Sequence, residues 1–442
     1  MDPAARARVT VTGRIRFDHV AIGVPRMAEE APFLVGALGG TPEAAGRAPM
    51  EGSMTDSEAN HRGSEARGRA DHPGGAAHGQ GRLGREGRED GMRHRIAVIP
   101  GDGIGNEVLP EGMRVLEAAG RRFAFELEWT TFDWSCERFA KTGSMMPEDG
   151  LDRLRQFEAI FLGAVGFPGV PDHVSLWGLL IPIRRGFRQY INLRPVRLLK
   201  GVRSPLAGRG PADVDMLIVR ENNEGEYSEI GGRLYRGTPE EVAVQTAMFT
   251  RSGCDRVMRY AFELAMKRPR RKVTSATKSN GIIHSMPYWD ERFAAIAREY
   301  PEVKTDQYHI DILTAHFVQH PDWFDVVVAS NLFGDILSDL GPAIAGSIGL
   351  APGGNINPEK EHPSMFEPVH GSAPDIAGKG IANPIAQIWT GVMMLEHLGH
   401  ADAAGAVVAA IERVVEEGAV LTRDLGGKAS TVEVGQAIAA LI

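Results

Sequence analysis

From Arg95 to the C-terminus, short runs of β-forming residues alternate with stretches of helical periodicity, and this alternation restricts the chain to an α/β architecture. The β-like runs are Ile96–Ile99, Ala159–Leu162, Asp215–Val219, Lys272–Ala276 and Asp325–Ala329. The helical stretches include Glu107–Ala119 and Asn383–Leu398. In the second, Ile385, Ile388, Trp389, Val392 and Leu395 fall on one face and Gly399 supplies the stop. At 442 residues the chain exceeds one ordinary core, so two domains, or one domain with extensions, are expected. Pro100-Gly-Asp-Gly-Ile-Gly105 follows the first run and opens a helix, the setting of a Rossmann dinucleotide turn. The spacing rejects that reading, because the third glycine of the fingerprint falls at position 106, which is Asn.

Residues 48–92 have a different composition. They contain no aromatic residue and one Leu, Leu83, which is too little apolar surface to offset chain entropy, so a disordered linker is expected. Upstream, Arg14–Pro25 reads as a strand followed by a helix to Leu38 and a Gly39-Gly40 stop. Residues 1–47 resemble a fragment of a glyoxalase-type (vicinal oxygen chelate) module, in which His19 stands where a metal ligand can occur. The segment reads as a truncated fusion, or as upstream sequence with initiation near Met92.

Composition excludes several function classes. A formal net charge of −8 argues against a nucleic-acid partner, and no apolar run approaches the length of a membrane span. The two cysteines, Cys136 and Cys254, are far apart, which fits a reducing compartment and rules out a thiolate metal site. No signal-peptide pattern opens the chain, and the cytoplasm is the expected location.

The chemistry concentrates in a few segments. In Asn331-Leu-Phe-Gly-Asp335-Ile-Leu-Ser-Asp339, two carboxylates four residues apart share a helix face, and a divalent cation such as Mg²⁺ or Mn²⁺ would relieve their repulsion. Taken alone, the pair equally fits a helix N-terminal acid followed by a solvated one. Arg184 and Arg194 lie ten residues apart around an extended segment, and Arg220 ends the run Asp215–Val219. Guanidinium groups match carboxylates, so three converging ones suit a small polycarboxylic acid, whereas singly each is an ordinary surface charge. Lys278 is a candidate base, Tyr227 a candidate proton donor and Asp311 a third candidate metal carboxylate; each alone reads more readily as structural than as functional. The Gly- and Pro-rich stretch Phe366–Asn383 leads into a helix and reads as a ligand cradle.

Together these segments resemble the β-decarboxylating dehydrogenases, the family of isocitrate, 3-isopropylmalate and tartrate or D-malate dehydrogenases, over about residues 94–442. The resemblance implies a two-domain α/β fold with a large mixed sheet: residues 94–189 and 346–442 as the dinucleotide-binding domain, and 190–345 as the substrate, metal and dimerisation domain. It implies that Arg184, Arg194 and Arg220 bind the substrate carboxylates. Asp335 and Asp339, with Asp311 from a second copy, would hold Mg²⁺ or Mn²⁺, with K⁺ as a further candidate cation. Lys278 from the second copy would assist deprotonation and Tyr227 would return a proton, so the active unit is an obligate homodimer. Ile104, Glu367, His370, Gly371, Asp375, Ala382 and Asn383 match the dinucleotide site, and Asp375 favours NAD over NADP.

The resemblance also narrows the substrate. The stretch Asp172-His-Val-Ser-Leu-Trp177-Gly-Leu-Leu180 looks like the tartrate/D-malate subgroup, with Gly178 and Leu180 where isocitrate enzymes place Ser and Asn. Trp177 stands where isopropylmalate enzymes place an acid, and it fills space that a large C3 substituent would need. Oxidative decarboxylation of D-malate to pyruvate and CO₂ is therefore expected, with tartrate as a second substrate. The alternatives are a 3-isopropylmalate dehydrogenase and a non-catalytic regulatory subunit of the same fold. Pro182, so close to Arg184, is expected to kink the specificity helix.

Overall fold

The computed structural model describes residues 92–442; the readings made for residues 1–91 lie outside it. The strands are β1 (Met92–Gly101), β2 (Phe125–Thr131), β3 (Ala159–Ala164), β4 (Ile191–Arg197), β5 (Asp215–Glu221), β6 (Gly231–Leu234), β7 (Val242–Gln245), β8 (Lys272–Thr277), β9 (Lys304–His309), β10 (Val326–Ala329), β11 (Gly354–Ile356) and β12 (Ser364–Phe366). The helices used below are α1 (Gly105–Phe123), α2 (Ile181–Gly186), α3 (Asn331–Ile344) and α4 (Ile385–Leu398). Strand β1 begins at Met92, the last residue of the segment expected to be a linker.

Ten strands form one mixed sheet in the order β2-β1-β3-β12-β11-β4-β5-β10-β8-β9. The outer strands pair in parallel, β2-β1-β3-β12 on one side and β5-β10-β8-β9 on the other. Antiparallel ladders join them through β11 and β4. Both parallel halves are covered, as such strands require: β3 and β10 are buried along their whole lengths. One apolar core packs around β5, β8 and β10, and another forms between β1, β3, α1 and α4. Among the described residues no helix is long and apolar enough to cross a membrane.

One local expectation changes. Helix α4 is not amphipathic in place: every residue from Ile385 to Leu395 is buried, because it runs through the centre of its core. Gly391 permits this packing, since a Cβ there would fall 2.6 Å from Leu116 Cδ1 on α1. The turn Pro100–Gly105 is glycine-rich because the chain itself crowds it. A Cβ on Gly101, at φ +73°, would meet the Ala164 carbonyl oxygen at 1.9 Å, and one on Gly103, at φ +54°, the Ser372 oxygen at 2.1 Å. Between them Asp102 is buried and accepts the backbone N–H groups of Cys136 (3.0 Å), Glu137 (3.2 Å) and Gly166 (3.1 Å), so its carboxylate fastens three loops.

The contact that positions the site is the one between α3 and β5. Gly334 lies so close to the strand that a Cβ would sit 2.5 Å from Arg220 Cβ and 3.1 Å from its Cα. Gly334→Ala must push the helix off the strand; overpacking of this kind costs about 1–3 kcal/mol, and a lowered urea midpoint with unchanged slope checks it.

Candidate active site

The three arginines converge. Arg184 lies on helix α2, the extended segment that follows it is β4, which carries Arg194, and Arg220 lies near the end of the paired strand β5. Asn192 pairs with Arg220 across that ladder and Arg194 with Ile218, so Arg194 and Arg220 share one sheet face. All three side chains are buried.

Burial disfavours a charge. It pulls the Arg194 guanidinium down to about 10, a fall that Glu367 opposes and Arg220 and Arg184 deepen. Amides brace the group from behind. Asn192 Oδ1 accepts from Arg194 Nε at 2.7 Å, and Asn192 Nδ2 donates to Asn355 Oδ1 at 2.8 Å. Asn355 Nδ2 donates to Glu367 Oε1 at 2.8 Å, and Glu367 receives Arg184 Nη2 at 2.5 Å. Two buried donors, Arg184 Nε and Arg194 Nη1, still have no partner among the described residues. Unpaired buried N–H groups on cations are costly, and an anionic ligand is the chemistry that satisfies them.

Helix α3 brings the carboxylates to this cluster. Asp335 forms an ion pair with Arg220 Nη1 and accepts the Tyr227 hydroxyl at 2.5 Å. Burial pushes Asp335 upward, but Arg220 and the Tyr227 hydrogen bond, with Arg194 and Arg184, hold it below the usual carboxylate range. Burial and the Asp335 hydrogen bond push the Tyr227 phenol up to about 12, so it stays protonated at neutral pH. Asp339 has no hydrogen-bond or ion-pair partner among the described residues, and burial together with Asp335 raises its pKa. Two neighbouring carboxylates, one strained by the other, form an all-oxygen donor set that fits a hard divalent cation.

The spacing of the motif gave no sign of two further residues. Asn331 Oδ1 accepts both Arg220 Nε (3.0 Å) and Nη2 (2.7 Å), while its Nδ2 donates to the Glu224 carbonyl at 2.9 Å. Glu226 accepts Ser330 Oγ (2.8 Å) and the Leu332 N–H (3.0 Å), capping α3 from the Tyr227 loop. Both residues were visible in the sequence, but their pairing depends on a contact more than a hundred positions away.

Lys278 and Asp311 stand apart from this group. They pair with each other at 2.9 Å beyond the ends of β8 and β9, and the Lys278 contact lowers the pKa of the exposed Asp311. Among the described residues no three metal-capable side chains gather in one place.

The dinucleotide candidates surround the loop after β12. Ile104 and Ala382 are buried together with Val108, and the Ile104 N–H donates to the Ser372 carbonyl at 2.9 Å. His370 donates from Nδ1 to the Gly371 carbonyl at 3.0 Å, leaving Nε2 buried and without a partner among the described residues. Burial lowers the pKa of that ring, so the lone group is a neutral imidazole facing a loop, which fits a nucleotide contact. Gly371 and Asp375 are exposed. The Asn383 side chain is committed to the fold, accepting the Ile385 N–H at 3.0 Å and donating to Asp424 at 2.9 Å, which leaves its backbone for a ligand. Glu367 lies with the arginines instead of on the loop surface.

Trp177 and Leu180 belong to a π-helical turn, Leu176–Leu180, and Pro182 opens the α2 turn that follows. The expected kink is thus a widened turn, which spares proline an unmade i→i−4 hydrogen bond. Gly178 faces Met145, with a built Cβ 2.7 Å from Met145 Cγ, so the substrate argument rests on Trp177 and Leu180.

The ten-stranded mixed sheet thus brings buried arginines and paired carboxylates together at one strand–helix junction. The sequence model of the isocitrate/isopropylmalate dehydrogenase family matches residues 95–438. The chain is 59% identical over 355 residues to the D-malate dehydrogenase [decarboxylating] of Escherichia coli (strain K12), covering 79% of this chain and 98% of that one. It is 58% identical over 352 residues to the tartrate dehydrogenase/decarboxylase of Pseudomonas putida, covering 78% and 96%. The crystal structure of isocitrate dehydrogenase from Methylococcus capsulatus superposes with a TM-score of 0.71 at 37% identity, covering 79% of this chain and 99% of that one. The chain belongs to the isocitrate/isopropylmalate dehydrogenase family. Enzymes of this family depend in general on NAD and on a divalent metal.

Asn331→Ala removes the Oδ1 that accepts two Arg220 N–H groups and leaves Asp335 to hold that cation alone. Hydrogen bonds to charged groups contribute about 1.5–3 kcal/mol, so malate affinity measured by calorimetry should fall roughly tenfold to a hundredfold.

Proposed function

We propose that this chain catalyses the NAD-dependent oxidative decarboxylation of D-malate to pyruvate and CO₂, and acts on tartrate as a second substrate. The observation that carries this reading is the pair of unpartnered buried donors, Arg184 Nε and Arg194 Nη1, beside the carboxylates of Asp335 and Asp339. High identity to a D-malate and a tartrate dehydrogenase supports the choice of substrate.

In this reading Arg184, Arg194 and Arg220 clamp the substrate carboxylates, with Asn192 and Asn331 fixing the planes of two of them. Asp335 and Asp339, with Asp311 from a second copy, hold the divalent cation, Mg²⁺ or Mn²⁺. When bound, that cation supplies Lewis acidity at the 2-oxygen, and NAD⁺ is the hydride acceptor. Lys278 of the second copy takes the proton of the 2-hydroxyl. Tyr227, kept protonated by burial and by Asp335, returns a proton to C3 after the β-carboxylate leaves. Ile104, His370, Gly371, Asp375, Ala382 and Asn383 form the cradle for NAD, and Asp375 favours the unphosphorylated ribose. K⁺ is a candidate for a further cation. Residues 94–189 with 346–442 carry the dinucleotide site, and residues 190–345 carry the substrate and metal site.

The homodimer reading has its own support. The hairpin of β6 and β7 is exposed along both strands and presents Leu234, Tyr235, Val242 and Val244. A lone two-stranded hairpin is marginal in water, so another surface must cover it. Ile282, Ile283 and Ile312, close to Lys278 and Asp311, are also exposed. A second copy of the chain fits both patches. The composition suits the cytoplasm.

Initial rates with NAD⁺ and Mn²⁺ on D-malate, the tartrate isomers, 3-isopropylmalate and isocitrate test this function. D-malate should give the highest kcat/KM, with Asp335→Ala abolishing turnover; preferential turnover of 3-isopropylmalate would replace this substrate with that one.

A further inference from the structure

Arg185, next to the substrate-facing Arg184, spans the mouth of the pocket. Its guanidinium lies 5.0 Å from the centre of the Trp177 ring. Its Nη2 donates to the Tyr227 carbonyl at 3.0 Å, and its Nη1 pairs with Glu229 at 3.2 Å. One planar cation therefore joins the residue that fills the C3 space to the loop that carries the proton donor. Arg185 also lines a small cavity with Arg184, Ile181, Asn222, Tyr227 and Asn331.

The π-turn makes this contact possible. Trp177 and Arg185 are eight residues apart, which in an unbroken α-helix leaves them roughly 80° out of alignment. The residue inserted by the turn Leu176–Leu180 puts Arg185 in the angular place of a seventh residue, roughly 20° off. Helical side chains lean toward the N-terminus, so Arg185 reaches back over the indole. A planar guanidinium stacks on an aromatic ring and forks to two acceptors at once, which an ammonium does not reproduce.

We propose that Arg185 is a specificity-determining and positioning residue: stacked on Trp177 and hydrogen-bonded to the Tyr227 backbone, it closes the C3 side of the pocket against alkyl-substituted malates and fixes the Tyr227 loop. This inference rests on the D-malate reading above and deepens it. Arg185→Met keeps the length of the stem while removing the charge and both forks. Arg185→Lys keeps the charge alone.

The experiment compares kcat and KM for D-malate and 3-isopropylmalate in the full chain and both variants, with thermal melts confirming folding. The expected result in both variants is a fall in kcat for D-malate of tenfold or more, with its KM changed less. The ratio of kcat/KM for 3-isopropylmalate over D-malate should rise at least tenfold. Restoration of that ratio by Arg185→Lys, or a proportional fall on both substrates, overturns the inference. If either variant fails to fold, the other carries the comparison, and Glu229→Gln, which removes only the outer partner, should shift the ratio in the same direction by a smaller factor; an unmoved ratio there also counts against it. Failure of the unmodified chain to oxidise D-malate would instead overturn the functional reading itself.

Discussion

The ion pair between Arg220 and Asp335 ties strand β5 to helix α3, and the rest of the site depends on it. Three guanidinium groups buried together on one side of a sheet would repel one another and lose hydration. Glu367 and Asp335 offset part of that penalty, and the amides of Asn192, Asn331 and Asn355 orient what remains. The residual imbalance leaves Arg194 with a depressed pKa and two donors without acceptors. An enclosure built this way favours a small anion and disfavours a neutral ligand.

The same pair constrains the backbone. Strand β5 and helix α3 can approach closely only because position 334 has no side chain, and Glu226 caps the helix from the loop that presents Tyr227. Arg220, Asp335 and Tyr227 thus share one rigid junction. Preorganisation of this kind lets a site place charges without moving them during reaction.

Much of this was legible in the sequence because it is local. The five β-like runs match β1, β3, β5, β8 and β10, since each carries the β-branched residues that suit a covered strand. The four-residue spacing of Asp335 and Asp339 announced a shared helix face, and the failed glycine spacing correctly excluded a Rossmann turn. Short or polar strands such as β9, β11 and β12 left no pattern to read, because their neighbours in the sheet define them. The amide bracing and the Glu226 cap were hidden for the same reason. The kink expected at Pro182 is a widened π-turn instead, which the sequence could not announce because it has no residue pattern of its own.

The central claim is that one active site draws on two copies of the chain, Asp335 and Asp339 from one and Lys278 and Asp311 from the other. Co-expressing Lys278→Ala and Asp335→Ala chains, each inactive alone, tests it directly. Random pairing in a symmetric dimer makes half the molecules hybrids with one intact site, so roughly a quarter of the unmodified activity should return. A mixture as inactive as its components would contradict a shared site and require Lys278 to act within its own chain.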